Sequence, residues 1–246
     1  MSNNDLMLGD DVVDDGDFLG GGGGYVWESG MYPVVIDLAY LSKSSEGATG
    51  LNLVLKDENA KELKTTLWIK SKDSKGNKPY YEKDGKKHAL QGMNMANALA
   101  GLAVPPKDGK VNVINDLDRT EKTVAIWDYD ASAELNTKVE VFMDLIDKRV
   151  DIGVIRRIEN KRKQQGGQWV DTADKKDSNE LAAVFDADTG LSITEYKAGA
   201  TDPEFKAKWL KRWDGKTDDK YKEVAGNGSS AGAPSTAPTT TKKLFK

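Results

Sequence analysis

Between residues 31 and 72 apolar and polar side chains alternate in three successive segments separated by short polar turns. In MYPVVIDLAYL, Val34, Ile36, Leu38 and Tyr40 share one parity. In LNLVLKD, Leu51, Leu53 and Leu55 are in phase, and in ELKTTLWIKSK so are Leu63, Thr65, Leu67 and Ile69. A period of two belongs to strands with one buried face. The turns SKSSEGATG and DENAKE have ordinary lengths for a meander. This pattern predicts three consecutive antiparallel strands.

The rest of the body extends that pattern. KDSKGNKPYYEKDGKK reads as a long polar loop, with His88 just beyond it at the start of a helix. HALQGMNMANALAGLAV is apolar at helical spacing and stops at Pro105-Pro106. VNVIND and KTVAIWDYD read as short strands, and KVEVFMDLIDKRVDIGVIRRIENKRK as two more with a turn near Asp147-Lys148. ELAAVFDADTGLSITEYK reads as a hairpin across DADTG. DPEFKAKWLKRWDGK predicts a helix capped by Asp202, with Pro203 at its first position. Phe205, Trp209 and Trp213, four residues apart, should pack that helix on the body. The expected fold is mainly β: an OB-like barrel with one internal helix, an added hairpin and a short C-terminal helix.

Three regions follow from composition. Residues 1–24 form an acidic, glycine-rich arm with six aspartates and no base, residues 25–224 the folded domain, and residues 225–246 a Gly, Ser, Pro and Thr tail with a basic-aromatic tip. The formal net charge of −4 is thus uneven, and the body without its two ends is close to neutral. The start of the chain lacks the basic-then-apolar pattern of a signal peptide. No apolar run reaches the roughly 18 residues of a membrane span, so no membrane partner is expected. Absence of cysteine removes disulfides and thiolate chemistry and suits a reducing cytosol. His88 is the single histidine, which excludes sites built on several imidazoles. GGGGG lacks the Lys and Ser/Thr of a phosphate loop, and DADTG lacks the ligand spacing of a calcium loop. These absences argue against an enzyme, and no cofactor or metal is expected.

Basic and aromatic residues supply the positive signal. If Leu63, Leu67 and Ile69 face inward, Lys64, Trp68, Lys70 and Lys72 face outward. The segment that follows adds Lys75, Lys78, Tyr80, Tyr81, Lys83, Lys86 and Lys87. From Lys64 to Lys87 there are eight lysines and three acids. Lysines neutralise phosphates and release counterions, and aromatic rings stack on bases of any identity. A second run, Arg156, Arg157, Lys161, Arg162 and Lys163, leads to Gly166, Gly167 and Trp169 and reads as a basic finger with an aromatic tip. The competing reading makes both segments solvated hairpins, with Trp68 covered by a later element. At the C-terminus, Lys242, Lys243 and Lys246 surround Leu244 and Phe245, a tip suited to an acidic partner surface with an apolar notch.

SGMYPVVIDLAYLSKSSEGATGLNLVLKDENAKELKTTLWIKSK, the tyrosine-containing segment and the helix QGMNMANALAGLA resemble phage-encoded single-stranded DNA-binding proteins over roughly residues 28–104. The resemblance implies a protein that coats single-stranded DNA without sequence preference in phage replication and recombination, in the cytoplasm of the infected host. Tyr80 or Tyr81 would match the family's stacking positions. Many members end in an acidic tail, whereas this chain carries its acid at the N-terminus and a basic tip at its C-terminus. In that respect it is similar to a lytic-phage branch whose coat protein also activates host RNA polymerase through C-terminal basic residues. Carried over, that role falls on Lys242, Lys243 and Lys246. The alternative is a β-barrel structural or adaptor protein of a virus. Oligomeric state is not legible.

Overall fold

The computed structural model describes residues 26–128 and 131–224. The acidic arm and the tail tip, Lys242, Lys243, Leu244, Phe245 and Lys246, lie outside the described residues.

The three alternating segments become β1 (Gly30–Lys43), β2 (Thr49–Lys56) and β3 (Glu62–Lys70), paired antiparallel in that order. Leu51, Leu53, Leu55, Leu63, Leu67 and Ile69 are buried, as their parity requires. In β1 the phase changes. A bulge between Ile36 and Leu38 shifts the register by one residue, which exchanges the faces beyond it. Ala39 therefore enters the core, while Leu38 and Tyr40 turn to the outer face.

The central strand is β8 (Arg149–Gln165). Its first part pairs with the start of β1, and its other edge pairs with β9 (Gln168–Asp186). Where β1 ends, β10 (Thr217–Asp219) takes over the same edge in parallel, at Arg156–Ile158. β6 (Arg119–Asp128) and β7 (Ala133–Phe142) form a long ribbon joined to β1 through Tyr40 and Val141. These eight strands make one sheet, which ends at β3 and is not closed. The molecule is thus mainly β and antiparallel, and the expected barrel remains open. Helix α1 (Gln91–Ala103) packs against both β3 and β9. Its buried Met93, Ala96, Leu99 and Leu102 join the main core with Trp27, Ile36, Val150 and Ile152. Small residues permit the close approach: a Cβ on Gly92 would lie 2.3 Å from the Trp68 carbonyl oxygen.

The expected loop after β3 instead contains β4 (Tyr80–Lys83) and β5 (Lys86–Ala89), a separate two-stranded ribbon. His88 lies in β5 opposite Tyr81, not at the start of a helix. VNVIND is a 3-10 turn rather than a strand, because Asn97 and Asp116 side chains accept the N–H groups of Ile114 and Val113. The hairpin expected across DADTG does turn there, with Asp186 accepting the Thr189 N–H at 2.7 Å. Its second limb is a single bridge from Phe185 to Ser192, after which α2 (Ile193–Lys197) begins.

Helix α3 (Glu204–Trp213) forms where expected, but its cap differs. The Asp202 side chain makes no capping bond there. The Glu195 carboxylate of α2 instead accepts the Phe205 N–H at 2.7 Å. Trp209 is buried against Gly153, where a Cβ would lie 2.7 Å from the indole. Phe205 stays exposed, with its ring 5.9 Å from that of Phe185. Among the described residues no helix is long and apolar enough to cross a membrane.

Candidate nucleic-acid interface

The outward parity of β3 holds. Lys64, Trp68 and Lys70 point away from the core, and Trp68 is 47% exposed. Two glycines set its place. Gly92 seats α1 directly on the Trp68 backbone, and Gly50 is its cross-strand neighbour in β2. A Cβ on Gly50 would come within 3.3 Å of the indole, so the ring has room to lie over β2. The reading in which a later element covers Trp68 is corrected by this exposure.

Trp68 lines a groove of about 920 Å³ together with Lys70, Lys72, Lys75, Lys78, Tyr80 and Tyr81. The lining also includes Gln91 and Met95 of α1, Ser178 to Leu181 of β9 and Arg157 of β8, with Glu46, Glu82, Glu159 and Glu180 as its acidic members. Most of the first basic-aromatic segment therefore converges on one concave surface. Lys83, Lys86 and Lys87 lie on the β4–β5 ribbon outside the groove lining. Lys64 faces an adjoining groove that shares Trp68.

The two tyrosines differ. Tyr81 is 50% exposed and stacks on His88, with centroids 5.4 Å apart and planes 23° apart. The Tyr80 ring is flanked by Lys87 at 4.8 Å and Lys78 at 5.7 Å, both within cation–π range. A base on Tyr80 must displace an ammonium, whereas Tyr81 offers a ring already stacked on one side.

Charge availability is uneven as well. Lys70, Lys75, Lys78, Lys83, Lys86 and Lys87 make no ion pair among the described residues. Lys72 pairs with Glu46 at 2.9 Å and Lys64 with Glu62 at 3.3 Å, both at the surface, where such pairs contribute little.

Arg156 and Arg157, expected to track phosphates, are different, because both guanidinium groups are already ion-paired. Arg156 bonds Asp177 through Nε and Nη2 and Glu28 through Nη1, at 2.6 Å for each Nη contact. Arg157 pairs with Glu180 and, at 2.9 Å, with Asp218 of β10. Burial pushes the Asp218 carboxyl up, but hydrogen bonds from Arg157 and Lys220 outweigh it and hold the group below its ordinary value. These forks are filled by carboxylates and fasten β9, β10 and Glu28, in the segment before β1, to β8. Further along the β8–β9 ribbon, Lys161 and Lys163 are exposed and Arg162 pairs with Asp171 at 3.1 Å. Trp169 is 61% exposed beside the Gly166-Gly167 turn. The basic finger exists, but it stands apart from the groove.

Several wall residues carry no mark in the sequence pattern. Gln91, Met95 and Asn179 have no charge to signal them. Tyr40 and Trp127 line the adjoining groove, of about 1180 Å³. The β1 bulge hides Tyr40, and Trp127 sits in a strand whose faces the sequence leaves unassigned. Among the described residues no cluster of His, Asp and Glu is arranged to hold a metal ion. No protein-family model matches the chain, and no curated protein sequence matches it.

Proposed function

We propose that this chain binds single-stranded DNA without sequence preference, along the groove centred on Trp68. The carrying observation is the combination in one groove of two half-exposed aromatic rings, Trp68 and Tyr81, with Lys70, Lys75 and Lys78, which have no ion-pair partner among the described residues. Stacking rings and mobile ammonium groups suit a flexible polyanion whose bases are open. Lys72 and Tyr80 add to the same surface, and Lys83, Lys86 and Lys87 extend its positive field. Lys64, Lys161, Arg162 and Lys163 are secondary contacts. The fold behind this surface is read as OB-like, with α1 standing where a closed barrel would pair strands. The proposed setting, phage replication and recombination in the infected cell's cytoplasm, follows from the resemblance alone. So does a contact between Lys242–Lys246 and host RNA polymerase.

The test is titration of the full chain with oligo-dT, read by tryptophan fluorescence at several salt concentrations. Quenching that weakens steeply with salt is expected. Absence of quenching at low salt rejects the reading and favours a structural or adaptor protein. Deleting residues 242–246 should leave the quench unchanged while removing polymerase binding; equal loss of both makes the tip a DNA clamp.

A further inference from the structure

The β6–β7 ribbon contributes almost nothing to the core. Its paired positions, Arg119 with Phe142 through Asp128 with Ala133, project from the sheet, and only its base is buried. An isolated two-stranded ribbon is marginal in water. Even so, this one carries Trp127 at 51% exposure and Leu135 at 43%. Between the ribbon and the outer face of β1–β3 lies the adjoining groove. Trp68, Thr65 and Thr66 line both this groove and the first one, so the two adjoin at Trp68.

We infer that a bound single strand passes from Trp68 into this second groove and stacks on Trp127, with the β6–β7 ribbon as its outer wall. The inference rests on the single-stranded DNA reading above and extends it. The sheet side supplies charge: Lys43 makes no ion pair among the described residues, and Lys64 is held only by an exposed one. The ribbon side supplies a ring with less free charge. Lys138 and Glu121 pair at 3.2 Å, Arg119 and Glu140 at 3.5 Å, and Glu134 lies opposite Trp127. Phosphates therefore run along the lysines of β1 and β3, and bases point to the ribbon. Tyr40 offers a further aromatic surface in the floor between them.

The test compares Trp127→Ala, Trp127→Phe and the unaltered full chain, using oligo-dT of roughly 5 and roughly 15 nucleotides, within the site sizes such proteins show. The short strand fills the first groove alone, so Trp127→Ala should leave its affinity unchanged. The long strand should bind Trp127→Ala about tenfold more weakly, the loss of about one stacked base. Trp127→Phe should recover most of that loss. Equal affinity of Trp127→Ala and the unaltered chain for the long strand overturns the inference, and so does an equal loss at both lengths. A dimer of the unaltered chain that Trp127→Ala converts to monomer, with DNA affinity intact, also overturns it and makes the ribbon a self-association surface. Failure of the unaltered chain to bind either strand removes the underlying reading instead.

Discussion

The two basic segments of this chain look alike in sequence and behave differently in the fold. Residues 64–87 carry eight lysines, and those that reach the groove are largely without ion-pair partners among the described residues. Residues 156–163 carry five bases, yet the two arginines nearest the body are held by four carboxylates. Strand partners explain the contrast. β4 and β5 pair only with each other, and their facing positions are Lys83 with Lys86 and Glu82 with Lys87. β8 instead has β9 on one edge and β10 on the other, which bring Asp177, Glu180 and Asp218 to the guanidinium groups. Carboxylates are near both runs, since Glu46, Glu82, Glu159 and Glu180 line the groove, but they close on the guanidinium groups of Arg156 and Arg157 and leave Lys70, Lys75 and Lys78 without an ion pair among the described residues.

Arg157→Ala should produce the largest change. If Arg157 is a fastener, its removal leaves Asp218 and Glu180 without their partner. Hydrogen bonds to charged groups contribute about 1.5–3 kcal/mol, and the side chains are only partly exposed. Urea unfolding should show a loss of about 1.5–3 kcal/mol, and, because Arg157 lines the groove only as an ion-paired base, a loss of oligo-dT affinity in the folded fraction smaller than that of one stacked base, about 1–3 kcal/mol. Unchanged stability with weakened binding would put Arg157 among the DNA contacts and dissolve the distinction.

The lysine segment should respond in the opposite sense. Replacing Lys70, Lys75 and Lys78 together by alanine should leave the unfolding midpoint nearly unchanged, since none of them is ion-paired among the described residues. The salt dependence of single-strand binding falls by about 0.7 for each phosphate no longer neutralised, so the slope should shrink by about 2. An unchanged slope would mean that the phosphates lie elsewhere, with the β8–β9 finger at Lys161 and Lys163 the next place to look.

Much of this architecture is legible in the amino-acid pattern, for identifiable reasons. Strong period-two alternation marks β2 and β3, and with them the outward placement of Trp68. The apolar spacing and Pro105-Pro106 mark α1. The pattern fails where one local event outweighs it. The bulge at Asp37 reverses the faces of β1 and conceals Tyr40. The β4–β5 ribbon reads as a loop because its residues are polar on both faces and leave no alternation to detect. Arg156 and Arg157 read as free bases because their carboxylates lie at Glu28, Asp177, Glu180 and Asp218, as far as 128 residues away in sequence. No local window shows that pairing. The open edge of the sheet at β3 is equally out of reach, since parity along a strand says nothing about which strands meet across the barrel.

The smallest expected effect is a control at the α2–α3 junction, away from both basic segments. Glu195 accepts the Ser192 N–H and hydroxyl and caps α3 through the Phe205 N–H. The Ser192 N–H is the main influence holding its carboxyl below the ordinary value, despite an opposing push from burial. A lowered value means that the ionised form is favoured in the folded state. Its contribution is therefore complete above the ordinary glutamate range and is lost as pH falls through the lowered folded value. Glu195→Ala should cost about 0.5–2 kcal/mol at neutral pH, the usual range for a lost cap. The gap between variant and unaltered chain should narrow on acidification, as followed by thermal unfolding between neutral pH and pH of about 3. DNA binding at neutral pH should stay unchanged, because Glu195 borders neither groove. A gap that stays constant with pH would show that the carboxylate's charge contributes nothing to the junction. The cap would then act through shape and neutral hydrogen bonding alone.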